Sequence, residues 1–206
     1  MNVLMINGSP HEKGCTYVAL NEVANELKKS DIDSTIFHIG TEPVRGCIAC
    51  GVCRTKGECV FNDDKVNECA KLVEKSDGII FGSPVHYAAP AGALCAFLDR
   101  LFYSCKKFSF KVGASVVSAR RAGTTAALDV LNKYFTISNM PVVGSVYWNL
   151  VHGSQVEDVA KDGEGLQTMR QLARNMAWLL KSIEAGKKQG LVLPEQEQKI
   201  RTNFIR

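Results

Sequence analysis

Four of the eight cysteines, Cys47, Cys50, Cys53 and Cys59, fall in one short stretch with the spacing C-x2-C-x2-C-x5-C. Thiolates spaced like this are a metal-ligand pattern, because one loop can wrap several soft sulfur donors around a single centre. The first three match the triplet spacing of bacterial ferredoxin ligands. The fourth does not follow three residues later with a proline, so one cluster held by all four is the geometric reading. Gly46, Gly51 and Gly57 give the loop the loose backbone it needs. A tetrahedral zinc site is the main rival, since four thiolates also suit zinc. A cysteine-rich loop that stays reduced and binds no metal is the third reading.

A second chemistry is carried by Gly8-Ser9-Pro10-His11-Glu12-Lys13-Gly14-Cys15-Thr16, between the first apolar run and the first helical pattern. Main-chain N–H groups and the positive end of a helix favour a phosphate dianion here, and Ser9 and Thr16 can add hydroxyl donors. A Walker A loop is excluded because Gly14 follows Lys13, and a dinucleotide Gly-x-Gly-x-x-Gly is excluded because Pro10 takes the second glycine position. An ordinary strand-to-helix turn with a Ser or Thr cap is the alternative. Two further loops follow later strands. Gly82-Ser83-Pro84-Val85-His86-Tyr87-Ala88-Ala89-Pro90-Ala91-Gly92 is a stiff turn able to lay an aromatic against a flat ring. The third loop is Ser118-Ala119-Arg120-Arg121-Ala122-Gly123-Thr124-Thr125.

The elements that must position these loops alternate along the chain. Strands are predicted at Val3–Ile6, Ser34–Ile39, Gly78–Phe81, Val112–Val117 and Val142–Val146. Helices are predicted at Cys15–Lys29, Asp64–Lys75, Ala91–Tyr103, Gly123–Phe135 and Leu166–Glu184, the last with a broad apolar stripe. Five such units imply an α/β fold, a doubly wound five-stranded parallel sheet with helices on both faces. Ligands of that fold sit at the carboxyl ends of the strands, where all three loops would meet. Residues 1–187 read as one domain, and 188–206 as an extended or frayed tail.

The loops Gly8-Ser9-Pro10…Thr16 and Gly82-Ser83-Pro84-Val85-His86-Tyr87…Leu98-Asp99-Arg100 resemble those of the flavodoxin-like NAD(P)H-dependent FMN reductases, over almost the whole chain up to about Lys187. The resemblance implies that Ser9, Gly14, Cys15 and Thr16 form the FMN phosphate site. It places Pro84, Val85, His86 and Tyr87 along the flavin, with Ser118, Arg120 and Gly123 flanking the ring's other side. Cys15 stands where a polar Asn is common in relatives, and a thiol at a helix N-terminus is expected to have a lowered pKa. The cysteine spacing resembles the compact motif of the iron–sulfur flavoproteins, a branch of this family in which it holds a 4Fe–4S cluster beside FMN.

The function implied is an oxidoreductase in which FMN passes electrons from NAD(P)H to a quinone, free flavin or other small acceptor. The alternative is an electron carrier in which a ferredoxin-like donor feeds the cluster and then FMN. Relatives imply a homodimer or homotetramer. The flavin carries the chemistry, so no catalytic side chain is assigned.

The bulk properties agree. The 206 residues are 46% hydrophobic and 22% charged, with 25 basic and 21 acidic side chains giving a net charge of +4. That mild, scattered excess does not suit nucleic acid. No apolar run reaches the ~20 residues that span a bilayer. Met1–Ile6 lacks a basic flank and is too short for a signal peptide, so a cytoplasmic, reducing environment is expected. Cys69, Cys95 and Cys105 read as small core residues. Asp99 reads as structural, and His38 has no partner visible in the sequence. Tyr147-Trp148-Asn149 and His152-Gly153 wall the site edge or simply pack against a loop.

Overall fold

The computed structural model describes residues 1–198 together with Ile200, Thr202 and Phe204; Lys199, Arg201, Asn203, Ile205 and Arg206, at the end of the expected tail, lie outside the described residues. Strand β1 (Asn2–Asn7) shows why the sequence alternates as it does. Its side chains point to opposite faces of the sheet, and both faces are covered. Val3 and Met5 pack into one core with Ala19, Leu20, Val23 and Leu27 of helix α1 (Cys15–Lys28). Leu4 and Ile6 pack into a second core on the other face. Every one of these side chains is fully buried, each contributing roughly 1.5–3 kcal/mol for the larger aliphatics.

Strand β2 (Asp33–His38) pairs parallel with β1. The cysteine loop follows, with a single helical turn α2 (Cys53–Lys56), and then helix α3 (Val66–Glu74). Strand β3 (Gly78–His86) pairs parallel with β1 and runs on beyond the expected Phe81. Its end folds back as a short hairpin with β4 (Ala89–Pro90) before helix α4 (Gly92–Ser104). Strand β5 (Val112–Ala119) is buried at all eight positions and leads to helix α5 (Thr124–Ile137). The chain then reaches strand β6 (Leu150–His152), the single turn α6 (Val156–Val159) and helix α7 (Gly163–Lys188). The sheet order is β2-β1-β3-β5-β6, with β4 paired to β3 off that path. This is the flavodoxin-like doubly wound order.

Two expectations are corrected. Among the described residues there are six strands, because the second loop forms the β3–β4 hairpin instead of an open turn. The fifth position of the main sheet is taken by Leu150–His152, not by Val142–Val146. Val142 makes only an isolated parallel bridge to Gly113, after which the chain leaves the sheet. The Ser145 hydroxyl donates to the Tyr147 carbonyl at 2.7 Å and lies 2.7 Å from Asn149 Oδ1, which bends 144–149 into a loop. The chain rejoins β5 at Val117↔Leu150. α7 also continues past Glu184 to Lys188, so the start of the expected tail is helical. It is fastened to α1 by Arg170–Glu22 at 2.6 Å and Arg174–Glu26 at 2.7 Å.

Candidate functional site

The three loops meet at the carboxyl edge of the sheet. The Gly8 N–H donates to the Gly82 carbonyl at 2.8 Å, joining the first loop to the second. Pro84 pairs with Ser118 in the β3–β5 register, joining the second to the third. Thr16 Oγ1 lies 2.8 Å from Ser118 Oγ, joining the first to the third. Gly82 permits this closeness, because a Cβ there would stand 2.6 Å from Leu20 Cδ1 and 2.9 Å from Thr16 Cγ2.

The first loop is shaped by its own polar groups. The Ser9 N–H donates to Asn7 Oδ1 at 3.1 Å, and the His11 N–H donates to Ser9 Oγ at 3.1 Å. His38, at the end of β2, donates Nε2–H to the Ser9 carbonyl at 2.8 Å, which supplies the partner that the sequence did not show. Ser9 Oγ accepts in this arrangement and keeps its own O–H proton for an anion. α1 begins at Cys15 with Gly14 as N-cap and no side-chain cap. The N–H groups of Thr16 and Tyr17 have no acceptor among the described residues, and that of Cys15 meets only its own sulfur. Unpaired donors at a helix start are what a phosphate dianion satisfies, so the residues present fit a phosphate here.

Thr16 is placed differently from expectation. Its hydroxyl is buried and lies 2.8 Å from Ser118 Oγ, which leaves main-chain N–H groups and the Ser9 hydroxyl as the donors without a protein partner at this loop. Cys15 is corrected as well. Its thiol pKa is pushed up by burial, with Asp158 and Glu157 adding to that, and these outweigh the backbone hydrogen bond that lowers it. A neutral thiol does not repel a phosphate.

The second loop presents exposed His86 and Tyr87. Tyr87 has φ +60° and projects fully into solvent. A left-handed aromatic is a strained position held by the hairpin, and such strain collects at ligand sites. Pro84 and Val85 are half-buried beneath it. In the third loop Gly123 has φ +91°, and a Cβ there would meet Val85 Cγ1 at 2.9 Å. Ser118 is buried, whereas Arg120 is exposed. Next to it, the Arg121 carbonyl accepts from His152 Nε2 at 3.0 Å.

Cys47, Cys50, Cys53 and Cys59 all border one small cleft of about 30 Å³, with Ile48, Val60, Phe61 and Tyr103 as its apolar walls. Among the described residues no three His, Cys, Asp or Glu side chains stand close enough together to grip an ion. The donor set still fits a thiolate-bound centre. Four cysteines border one apolar cleft, Ala49, Gly51 and Gly57 turn the backbone in the left-handed region, and a Cβ on Gly46, Gly51 or Gly57 would meet nothing within 4 Å.

The sequence did not single out what anchors this loop. Arg100 of α4 is 1% exposed and donates Nε–H to Cys59 Sγ at 3.2 Å while pairing with Asp64. Asn67 of α3 accepts from the Cys59 N–H at 2.9 Å and donates back to its carbonyl at 2.9 Å. The signal for Arg100 was present. It lies on the helix stripe of Phe97, Leu101 and Ser104, where a charge must find partners.

A family model described as NADPH-dependent FMN reductase matches residues 1–155. The chain belongs to this family. An iron–sulfur flavoprotein of Methanocaldococcus jannaschii is 30% identical over 193 residues, covering 89% of this chain and 100% of that one. Among solved structures, RosB with bound 8-demethyl-8-formylriboflavin-5'-phosphate superposes at a TM-score of 0.70 with 12% identity, covering 100% of this chain and 92% of that one. A WrbA-like flavodoxin from Agrobacterium tumefaciens superposes at 0.62 with 16% identity, covering 88% of this chain and 98% of that one. The flavodoxin-like fold is thereby shown. FMN is the cofactor that goes with this family. No helix among the described residues is long and apolar enough to cross a membrane.

Proposed function

We infer that the protein is an FMN-dependent oxidoreductase that passes electrons from NAD(P)H to a quinone, flavin or other small acceptor. The observation that carries this reading is the uncapped start of α1, with its unpaired N–H groups, tied directly to the loops after β3 and β5. That constellation holds the phosphate of a mononucleotide and leaves the hairpin and the third loop to bracket a ring. FMN, when bound, supplies hydride acceptance from a nicotinamide and release of two electrons to an acceptor. The chain's own residues bind and orient. Ser9 and the α1 amides hold the phosphate, His38 fixes the Ser9 carbonyl, and Tyr87 and His86 present flat faces at the open side. Arg120 and Arg121 of the third loop are exposed, and on this reading they are the cations that meet nicotinamide-nucleotide phosphates.

A second reading is favoured by one specific observation, the four cysteines bordering one cleft, with a buried arginine donating to Cys59. In it, a ferredoxin-like donor delivers electrons through a 4Fe–4S cluster to FMN, in keeping with the name of the M. jannaschii relative. Mixing the oxidised protein with NADPH or NADH in the absence of oxygen, and following the flavin absorbance, separates the two. Bleaching by a nicotinamide nucleotide supports the reductase. Bleaching only by a reduced ferredoxin-type protein supports the carrier.

A further inference from the structure

Arg100 is the most completely engaged polar side chain near the cysteine loop. Nε donates to Cys59 Sγ at 3.2 Å, one terminal nitrogen donates to the Arg45 carbonyl at 3.3 Å and to Asp64 Oδ2, and the other donates to the Phe61 carbonyl at 3.3 Å and to Asp64 Oδ1 at 3.2 Å. A guanidinium carries five N–H donors, so each one has a partner. All four partner residues lie between 45 and 64, in the segment that carries or flanks the cysteines. Phe61 adds an aromatic face, with the Arg100 guanidinium 5.1 Å from its ring centre and the Arg45 guanidinium 5.3 Å from it.

Only one of these contacts reaches a sulfur. A buried cation with a buried carboxylate beside it is nearly neutral as a pair, and it is costly to break. The fold could have latched the loop with Asp64 and the two carbonyls alone. Directing the remaining N–H at Cys59 places a charge-assisted donor on one of the four candidate ligands. Partners of this kind orient metal ligands and tune the centre they hold. Hydrogen bonds to cluster sulfurs and nearby net charge set reduction potential.

Resting on the reading that the cysteines hold an iron–sulfur cluster, we propose that Arg100 is its positioning residue. The Nε–H fixes the Cys59 sulfur toward the cleft and favours the reduced cluster, while Asp64 holds the guanidinium and offsets its charge. Lysine at 100 keeps a cation beside Asp64 but has no fork to reach Cys59 as well. Asparagine at 64 keeps a partner for Arg100 but removes the balancing negative charge. The two substitutions therefore push the potential in opposite directions, which a purely structural latch does not do.

The test uses the full chain with FMN bound, reconstituted anaerobically with ferrous iron and sulfide, as wild type, Arg100→Lys and Asp64→Asn. Iron content, resistance of the iron to a chelator, cluster midpoint potential and FMN content are measured. Arg100→Lys is expected to hold iron roughly 10–100-fold more weakly and to titrate at a more negative potential. Asp64→Asn is expected to titrate at a more positive one, with FMN content unchanged in both. A wild type that takes up no iron contradicts the cluster reading itself. If wild type loads iron, then unchanged potentials, shifts of the same sign, or loss of iron from both variants overturns the role of Arg100.

Discussion

Thr16 Oγ1 and Ser118 Oγ stand 2.8 Å apart, tying the start of α1 to the end of β5 across a buried seam. Ser118→Ala removes one partner and leaves the Thr16 hydroxyl buried without it, at a cost of about 1–3 kcal/mol. Denaturant unfolding is expected to show that loss. The seam is expected to support the loops without contacting the phosphate, so FMN and riboflavin affinities should fall together. A loss confined to FMN would mean that these hydroxyls bind the phosphate after all.

Gly123→Ala places a Cβ 2.9 Å from Val85 Cγ1 at a φ of +91°, where a side chain is strained. The expected cost is about 1–3 kcal/mol, together with weaker FMN binding, since Val85 underlies the second loop. Gly92→Ala is the control, because a Cβ there meets nothing within 4 Å at an ordinary helical position. Alanine at 92 should leave the melting temperature unchanged or raise it.

Glu26 accepts from Lys29 at 2.6 Å and from Arg174 at 2.7 Å, and these contacts, that with Lys29 first, hold its carboxyl below the ordinary value. A carboxyl with a depressed folded-state pKa contributes stability above its unfolded pKa and loses it as pH falls through the folded value. Glu26→Gln should therefore destabilise the protein at neutral pH and match wild type in acid. The neutral-pH gap is about 1 kcal/mol, because Lys29 and Arg174 are more than half exposed and solvent screens them. A gap that persists unchanged in acid would contradict this pairing.

Strands with apolar runs were legible because both faces of a parallel sheet are buried, so β1, β3 and β5 stand out against their loops. The break in the fifth strand was not legible. Val142–Val146 has the β-branched composition, but it makes a single bridge, while Leu150–His152 makes the pairing, and the loop between them carries the Ser145–Asn149 side-chain contact. The loops of the site were visible as punctuation between elements. The direction of the Thr16 hydroxyl was not, since it depends on Ser118, far along the chain. The cysteine spacing was plain in the sequence, but its anchors Arg100, Asp64 and Asn67 come from two other elements and from the loop's far end. Local pattern does not report contacts of that range.

Cys53 stands at the head of α2 and borders the cleft with the other three cysteines. Anaerobically reconstituted wild type should hold about four irons and four sulfides per chain. Cys53→Ala should lose them while keeping FMN, as read by iron and sulfide analysis beside flavin absorbance. Zinc in place of iron under the same conditions would mark a structural four-thiolate site instead.

The most direct measurement is a flavin-fluorescence titration of the apoprotein with FMN, riboflavin and FAD. The unpaired N–H groups at the start of α1 and the Ser9 hydroxyl should make FMN bind at one per chain and more tightly than riboflavin, by the roughly 1.5–3 kcal/mol of a charge-assisted hydrogen bond. FAD should bind much more weakly, because nothing at the three loops provides for an adenosine. Tighter binding of FAD than of FMN, or equal affinity for FMN and riboflavin, would contradict a mononucleotide phosphate seated at the start of α1.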